Sequence, residues 1–284
     1  MAEYVYLNGS YVSYEQAVVP VEDRGFQFAD GIYEVIQVVE GRPFALDPHL
    51  DRLEEGAGIM RIPLPLSREE FHQVARRLIA DNEVKDGIVY IQLTRGAAKR
   101  LHAFPEQCEP TLVMLSRNTA APSSEKREKG LQVITVPDNR WGLCYVKTVG
   151  LVPNIMAKQK AMEAGADEAV FVRDGLVTEG SSSNLFAVKN GEVFTHPLAN
   201  ILPGITRAIV IDLCRQAGLT VWEKAFSLDR LREADEAFLT GTQMTMMPVV
   251  SVDGVKVGTG GPGPVFKQVY PMFRKYQQAE LERA

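Results

Sequence analysis

The sequence lacks several features that would point to a membrane, a nucleic acid or a metal. No apolar run among its 284 residues approaches the roughly 18 residues of a membrane span. Its 31 lysines and arginines form no basic blocks, so nucleic acid or an acidic membrane would find no electrostatic partner. The three cysteines show neither pairing nor metal-ligand spacing, and the four histidines are scattered. We therefore expect a metal-free protein that binds neither nucleic acid nor a membrane.

Length and composition indicate an ordinary folded protein. A chain of 284 residues allows one large domain or two of average size. Its 45% hydrophobic and 24% charged residues are typical of a globular protein with a sizeable core, and its net charge is −5. The first residues, MAEYVYLNGSYV, lack the basic head and apolar middle of a signal peptide. Together with the unpaired cysteines, this predicts a reduced, cytoplasmic protein.

One stretch divides the chain. Residues 118–128 (NTAAPSSEKRE) are small and polar, include proline and show no apolar periodicity, so we expect a linker between domains there. The domains are then residues 1–117, a small N-terminal unit, and residues 129–284, a larger unit that carries Lys147. Strands and helices are predicted in both, which indicates the α+β class with mixed or antiparallel sheets.

Local signals predict the elements of each part. Asn8-Gly9 joins the strands of a hairpin, Asp47 caps a helix, and a capping box of Ser67 and Glu70 opens another. The predicted strands are residues 4–7, 10–13, 32–39, 88–94, 111–115, 131–136, 169–172, 176–178, 185–188, 193–195 and 235–239. The predicted helices are residues 48–60, 68–82, 155–166, 204–217 and 265–282, the last interrupted by Pro271.

Lys147 is the only charged residue between Trp141 and Ala157 (WGLCYVKTVGLVPNIMA). Burial in such apolar surroundings disfavours the ammonium form and lowers the pKa of the amine. A neutral amine can attack a carbonyl and form a Schiff base, which is the standard use of a desolvated lysine. Alternatively, Lys147 lies at a strand end and its ammonium group reaches water.

Two segments of the second part place polar groups where a ligand could be held. Thr178–Asn184 (TEGSSSN) puts Glu179 at a strand end before small hydrogen-bonding residues; the alternative is a solvated loop. Leu202–Arg207 (LPGITR) precedes an apolar-periodic helix, whose first N–H groups and Thr206 hydroxyl would make an anion site. An ordinary helix start is the alternative there.

Two segments of the first part also carry candidate site residues. Arg95–His102 (RGAAKRLH) follows a hydrophobic strand. In an extended chain Arg100 and His102 point the same way and together suit a carboxylate, while a solvated basic loop is the alternative. Asp23–Glu34 (DRGFQFADGIYE) brings glycines and aromatics directly before a strand, which places Tyr33 to line a pocket.

The order and spacing of these segments resemble the fold-type IV pyridoxal phosphate enzymes, and most closely the D-amino acid aminotransferases. The resemblance rests on the blocks DRGFQFADGIYEV, HLDRL, TRGAAKRLHAFPE, the lysine followed by MAKQKA, VTEGSSSN and LPGITR, in that order. It covers nearly the whole chain and weakens after about Thr245. It implies a two-domain fold-type IV structure that moves the amino group of a D-amino acid, such as D-alanine or D-glutamate, to a 2-oxo acid such as 2-oxoglutarate or pyruvate.

The resemblance also implies a cofactor and roles for particular residues. Lys147 would hold pyridoxal 5'-phosphate as a Schiff base and move protons, and Glu179 would bond the pyridine nitrogen. The remaining cofactor-binding residues would be Ser182, Ser183 and Leu202, with Arg52, Ile205, Thr206 and Thr242 at the phosphate. Tyr33, Arg100 and His102 would trap the substrate carboxylate, the last two reaching in from the neighbouring subunit of a homodimer.

Related enzymes and local departures leave alternatives open. Branched-chain aminotransferases of this fold type share the lysine, the glutamate and the phosphate site but lack the Arg-x-His loop, and the R-selective amine aminotransferases also depart there. A catalytically silent binding protein on the same scaffold is the alternative from another class. Gln37 stands where the closest relatives carry lysine, and Gln243–Met247 is bulkier and less polar than the family suggests. These departures predict an altered side-chain pocket.

Overall fold

The computed structural model describes residues 3–283 and divides the chain into two compact units. The first unit holds the residues up to Ala121, Val146–Gly150 and the residues from Glu280 on; the second holds Pro122–Tyr145 and Leu151–Ala279. Each unit has its own sheet. Within the described residues, no helix combines the length and the apolar character that crossing a membrane requires.

The first unit contains an antiparallel six-stranded sheet with helices. Its elements are β1 (Tyr4–Leu7), β2 (Ser10–Ser13), α1 (Arg24–Phe28), β3 (Gly31–Val39), β4 (Arg42–Pro43), α2 (Leu46–Met60), α3 (Arg68–Asp81), β5 (Gly87–Thr94) and β6 (Thr111–Asn118). The strands lie in the order β2-β1-β6-β5-β3-β4. The predicted hairpin is confirmed, with its turn at Asn8 and Gly9, and so is the capping box of Ser67 and Glu70 at the start of α3.

The predicted cap of α2 is wrong. Ala45 occupies the N-cap position in the left-handed conformation, and no side chain caps the helix. Asp47 lies inside the first turn, so its side chain cannot reach back to the first N–H groups as an N-cap residue would. Its carboxylate instead pairs with Arg68 and His72 of α3. Asp47 therefore joins two helices rather than starting one.

The two faces of the six-stranded sheet have different roles. Ile32 and Ile36 of β3 project from one face into the core formed with α2 and α3. Because side chains alternate along a strand, Tyr33 and Gln37 project from the opposite face. Tyr33 is paired in register with Gln92 of β5, so these two side chains lie on the same face. This second face carries one of the predicted site residues.

The second unit is built on a ten-stranded mixed sheet. Its elements are α4 (Ser124–Lys129), β7 (Leu131–Pro137), α5 (Val152–Glu163), β8 (Glu168–Arg173), β9 (Leu176–Gly180), β10 (Asn184–Lys189), β11 (Glu192–Thr195), α6 (Ile205–Gln216), β12 (Val221–Glu223), β13 (Phe226–Ser227), α7 (Leu228–Arg232), β14 (Glu236–Gly241), β15 (Thr245–Val252), β16 (Val255–Lys256) and α8 (Pro264–Leu281). The strand order is β12-β11-β10-β14-β15-β7-β8-β9-β13, and β16 pairs with β15. Helices with an antiparallel and a mixed sheet confirm the predicted α+β class.

Several elements of the second unit differ from the predictions. The local signals do not predict β15, because a strand with Pro248 and adjacent methionines has weak β propensity; pairing with β14 and β7 holds it in the sheet. α5 begins three residues earlier than expected, with Pro153 in its first turn. α8 continues through Pro271 without interruption, because buried side chains such as Phe273 anchor the helix beyond it.

The division into units bears on the position of the lysine. The boundary after Ala121 falls within the stretch 118–128 that the sequence indicates as a linker, and part of that stretch forms α4. Lys147, expected in the C-terminal part, groups with the first unit. The physical reason is backbone pairing: Tyr33 N donates to Lys147 O and Val149 N donates to Gly31 O, both at 3.0 Å.

Candidate active site

In the first unit the structure brings Lys147 and Tyr33 together. The Lys147 Nζ lies 4.1 Å from the centre of the Tyr33 ring, where the electron-rich face attracts an ammonium group. The lysine is half-buried, so it is less shielded from water than its apolar sequence neighbours suggest. Because Lys147 lies over the Tyr33 ring, the amine is on the same face of the sheet as Tyr33.

Arg52, the predicted phosphate ligand, is held by a buried carboxylate. Its Nε and Nη2 donate to Oε1 and Oε2 of Glu34 at 2.7 and 2.8 Å. Nδ1 of His49 lies 2.7 Å from the same Oε2. α2 places His49 and Arg52 three residues apart on one helical face, opposite Glu34 of β3. The guanidinium is therefore fixed in orientation by a two-point contact.

Burial and the contacts among Glu34, His49 and Arg52 shift the pKa values of Glu34 and His49. Burial alone would raise the pKa of Glu34, but the Arg52 charge and the hydrogen bonds from Arg52 and His49 lower it to about 2. Burial lowers the pKa of His49 and outweighs its bond to Glu34. The sequence reasoning missed Glu34 and His49. The available signals were a glutamate inside a hydrophobic strand and the His-x-x-Arg spacing of HLDRL.

Arg100 and His102 lie side by side on an aromatic ring. The Arg100 Cζ is 4.8 Å from the centre of the Phe28 ring, and the His102 ring meets the same ring edge-on at 5.7 Å. Both side chains are exposed. The loop is tied to α1 because Nη1 of Arg24 donates to Leu101 O at 2.6 Å. The shared contact agrees with the expectation that Arg100 and His102 point the same way.

In the second unit, Glu179 is a buried carboxylate at the end of β9. Its Oε1 accepts from Nη1 of Arg140 at 2.6 Å, and its Oε2 accepts from Nδ2 of Asn184 and from Leu202 N, both at 3.1 Å. Burial raises the pKa of Glu179 to about 7, against the lowering effect of Arg140 and Leu202 N. A further donor aimed at this carboxylate would favour its ionised form.

Arg140 is a site residue that the sequence reasoning missed. Its Nε and Nη2 donate to the two carboxylate oxygens of Asp138 at 2.9 Å each, and its Cζ lies 4.2 Å from the centre of the Phe171 ring. Asp138 also accepts from Thr178 at 2.9 Å. Asp138 thus orients the arginine that contacts Glu179. The only sequence signal is an Asp-x-Arg spacing directly after β7.

The start of α6 has features that suit an anion. Gly204 occupies the N-cap position, no side chain caps the helix, and its first turn has no acidic residue. The first N–H groups of a helix have no partner within the helix. A Cβ at Gly204 would collide with Oδ1 of Asn184, whose side-chain amide also donates to Leu202 O at 3.0 Å. Glycine therefore lets Asn184 bind both Glu179 and the chain before α6.

The serine run contains groups with different partners. Ser181 and Ser182 donate to the carboxylate of Glu168, which is buried. The Ser183 Oγ is buried and has no hydrogen-bond partner within the described part of the chain, and the same holds for the Thr240 Oγ1. Both hydroxyls adjoin Asn184: Ser183 precedes it, and Thr240 is its register partner on β14. Two buried hydroxyls next to Asn184, which binds Glu179, thus lack a hydrogen-bond partner among the described residues.

The residues from Thr242 to Met247 differ in burial. Thr242 is half-buried in the turn between β14 and β15. Met246 and Met247 are 0% and 1% exposed, so their bulk fills the core of the second unit. Gln243 is exposed and Met244 half-buried. Only the first half of the methionine-rich segment therefore remains near the surface of the unit.

Comparison with known proteins identifies the class. The family model described as amino-transferase class IV matches residues 31–252. The chain is 42% identical over 266 residues to the D-alanine aminotransferase of Bacillus licheniformis, covering 93% of this chain and 94% of that protein. It is 39% identical to the D-alanine aminotransferase of Staphylococcus aureus (strain MSSA476), covering 96% and 98%. The chain belongs to the class IV aminotransferases.

Solved structures agree with this assignment. The branched-chain amino acid aminotransferase of Escherichia coli matches with a TM-score of 0.92 at 28% identity, covering 99% of this chain and 96% of that one. A second branched-chain amino acid aminotransferase, solved with pyridoxamine 5'-phosphate and designated T.th., matches with a TM-score of 0.90 at 28% identity, covering 100% and 96%. These matches confirm the fold-type IV architecture implied by the sequence blocks.

Proposed function

We propose that this class IV aminotransferase is a D-amino acid transaminase that uses pyridoxal 5'-phosphate. It transfers the amino group of a D-amino acid, such as D-alanine or D-glutamate, to a 2-oxo acid. The observation that carries this proposal is the Arg100–His102 pair lying together on Phe28, because the family resemblance gives that pair to D-amino acid enzymes and not to the other substrate classes of the fold. The full-length likeness to D-alanine aminotransferases supports the same substrate class.

The residues present fit the proposed cofactor. When bound, pyridoxal 5'-phosphate supplies an electron sink that stabilises negative charge at the substrate Cα. Lys147 would offer the amine that holds the aldehyde carbon, and the Glu179 carboxylate would accept a hydrogen bond from the pyridine nitrogen. The buried hydroxyls of Ser183 and Thr240, without partners among the described residues, fit a polar ligand in the second unit.

The phosphate would be held by a cation and a helix start. Arg52 supplies the cation, oriented by Glu34. The N–H groups at Ile205 and Thr206 supply donors at the positive end of α6. The remaining proposed cofactor contacts are those of Ser182, Ser183, Leu202 and Thr242. Leu202 would act indirectly, because its N–H donates to the Glu179 carboxylate. The Ser182 hydroxyl already donates to the Glu168 carboxylate.

Lys147 would act as both base and acid. Once the substrate amino group has replaced it on the aldehyde carbon, its amine would move a proton from the substrate Cα to that carbon in one half-reaction and move a proton in the reverse direction in the other. Tyr33, whose ring lies 4.1 Å from the Lys147 Nζ, places the amine and the substrate on one face of the six-stranded sheet. A lysine that reaches Cα from one side only can remove only the hydrogen that points to that side.

Handedness then depends on where the substrate carboxylate is bound. Tyr33, Arg100 and His102 would bind it and so decide which Cα hydrogen faces Lys147. A guanidinium matches the two oxygens of a carboxylate, whereas the neighbouring Lys99 would supply only a point charge. A substrate with the opposite configuration would bind its carboxylate in the same place and present its side chain, not its hydrogen, to the amine.

We further propose a homodimer in which the Arg100–His102 loop serves the neighbouring subunit. Exposed apolar side chains surround that loop: Val21, Phe26 and Leu101 are 77%, 80% and 59% exposed. Contacts with α1 hold them close together, because Gln27 donates to Val21 O and Arg24 to Leu101 O. Exposed apolar side chains beside a functional loop are typical of an interface, and a second copy of this chain would cover them.

Mixing an inactive variant with an impaired one tests the shared site. Lys147→Ala retains Arg100, and Arg100→Ala retains Lys147. If Arg100 acts on the neighbouring subunit, a mixed dimer of the two variants has one complete site and regains activity on D-alanine. If Arg100 acts within its own chain, the activity of the mixture does not exceed the mean activity of its two components. Light scattering during size-exclusion chromatography, which reports the mass, provides the matching measurement of oligomeric state.

The activity itself is tested with enantiomers. Purified protein loaded with pyridoxal 5'-phosphate should be yellow, and D-alanine should bleach it and form pyruvate. Bleaching by L-leucine instead of D-alanine would favour branched-chain transamination, the activity named for the two solved structures compared above. Bleaching by an R-amine only would favour the amine transaminases, and failure to take up the cofactor would favour a silent binding protein.

A further inference from the structure

A polar pair lies directly beside Tyr33 and has no role in the mechanism described so far. Gln92 of β5 is the register partner of Tyr33, and Tyr90 is the register partner of Val35. Register partners in an antiparallel sheet have their Cβ atoms about 5 Å apart on one face. The Tyr33 and Tyr90 rings are 5.8 Å apart. Gln92, Tyr90 and Tyr33 thus form one cluster with the Lys147 amine above it.

The orientation of the Gln92 amide follows from its hydrogen bond. The Tyr90 hydroxyl donates to Oε1 of Gln92 at 2.6 Å. Burial, reinforced by the nearby Tyr33, raises the pKa of Tyr90 to about 12, so the hydroxyl keeps its proton at neutral pH. Because the amide oxygen is engaged, the Gln92 Nε2 presents its two N–H donors away from Tyr90. Gln92 is half-buried, so part of the residue is exposed to solvent.

The charges on this face favour an anion. Glu34 is the only carboxylate within β3, and it projects from the other face to Arg52. β5 (GIVYIQLT) contains no acidic residue. The Lys147 ammonium is on the same side as Tyr33. Nothing on β3 or β5 would therefore repel a carboxylate beside Tyr33.

Resting on the proposed transaminase function, we propose that Gln92 is a further substrate-binding residue, whose amide N–H groups bind the substrate carboxylate next to Tyr33. Tyr90 is a positioning residue that holds the amide in the donating orientation. The substrate Cα must reach Lys147, and its carboxylate is one bond from Cα. Gln92 is the register partner of Tyr33, the tyrosine beneath that amine.

Two substitutions test the role of Gln92 in the cofactor-loaded enzyme. Gln92→Leu removes the donors, and Gln92→Glu replaces them by a negative charge of nearly equal shape. Loss of a hydrogen bond to a charged group predicts a rise of about tenfold in the KM for D-alanine for Gln92→Leu, and a larger rise for Gln92→Glu. The kcat of Gln92→Leu should stay within about twofold, because the lost bond is made equally in the bound substrate and the transition state.

A non-reacting carboxylate gives a second readout. Propionate, as a competitive inhibitor against D-alanine, should lose affinity by about the same factor as the KM rises in each variant. Tyr90→Phe keeps the amide but frees it to rotate, so it should produce a rise in both constants of about threefold, smaller than that of Gln92→Leu. The matched control is Gln132→Glu, the same change at an exposed position of β7, which should leave both constants unchanged.

The outcomes separate this inference from the proposed function. If the wild-type enzyme transaminates D-alanine but Gln92→Glu leaves KM and propionate inhibition within twofold of wild type, Gln92 does not bind the carboxylate. A fall in kcat with unchanged KM and unchanged inhibition would make the pair merely structural. If the wild-type enzyme does not act on D-alanine at all, the proposed function fails first, whatever the variants do.

Discussion

Replacing Glu34 by glutamine tests how strongly the buried pair with Arg52 stabilises the first unit. The amide keeps the shape but removes the charge, which leaves a buried guanidinium without its counter-ion. Breaking a buried ion pair typically costs about 3–5 kcal/mol. The lowered pKa gives a similar figure, because a fall from 4.5 to about 2 corresponds to about 3 kcal/mol. We therefore expect Glu34→Gln to lower the free energy of unfolding by about 3 kcal/mol at pH 7.

The pH dependence of the lost stability shows whether the Glu34 charge causes it. A carboxylate with a lowered pKa contributes stability above its unfolded value, near 4.5, and that stability is lost as the pH falls towards about 2. The difference in free energy of unfolding between wild type and Glu34→Gln should therefore decrease as the pH falls from about 4.5 to about 2. Urea unfolding of the cofactor-free proteins, followed by circular dichroism at several pH values, measures it.

An exposed glutamate on α2 provides the control. Glu54 pairs with Arg68 at 2.9 Å, but its side chain is 44% exposed. Glu54→Gln should cost less than about 1 kcal/mol, as exposed ion pairs do. If Glu34→Gln were no more costly than Glu54→Gln, or if its effect did not narrow in acid, the assigned energy of the buried pair would be refuted.

Three further predictions concern catalysis. Lys147→Ala should abolish transamination with the fold intact, measured by activity and circular dichroism; borohydride reduction and peptide mapping that placed the cofactor on Lys158 or Lys160 would overturn the assignment. Glu179→Gln should lower kcat by about a hundredfold and cofactor affinity far less, because the phosphate would be anchored separately in the proposed site; loss of cofactor with normal turnover in the remaining holoenzyme would contradict this. Arg100→Ala should lower catalytic efficiency for a D-amino acid about tenfold to a hundredfold relative to an R-amine of similar size, since only the former has a carboxylate to bind; an equal fall for both would make Arg100 structural.

Local sequence signals predicted the elements whose causes are themselves local. The Asn8-Gly9 hairpin and the Ser67–Glu70 capping box depend on neighbours a few residues away, and both are present. β15 depends on partners far along the chain, since Pro248 and the methionines give it little propensity of its own, and it went unpredicted. Asp47 was also mispredicted from local sequence. Its carboxylate pairs with Arg68 and His72 of α3 instead of capping α2, and those partners are more than twenty residues away.

The sequence by itself determined the enzyme class and predicted the candidate site residues. Lys147, Glu179 and Arg52 stand in blocks whose order and spacing resemble one family, and the comparisons confirm that family. These residues can be recognised in the sequence because the proposed chemistry requires a particular residue type at each position.

Only the tertiary structure decided which groups support those residues. Glu34 holds Arg52, Arg140 contacts Glu179, and Gln92 adjoins Tyr33, and the two residues of each pair lie on different segments of the chain. Such contacts depend on strand register, on which face of a strand or helix a side chain occupies, and on what burial does to its charge. These properties arise when distant segments pack, so the sequence around any one residue does not contain them.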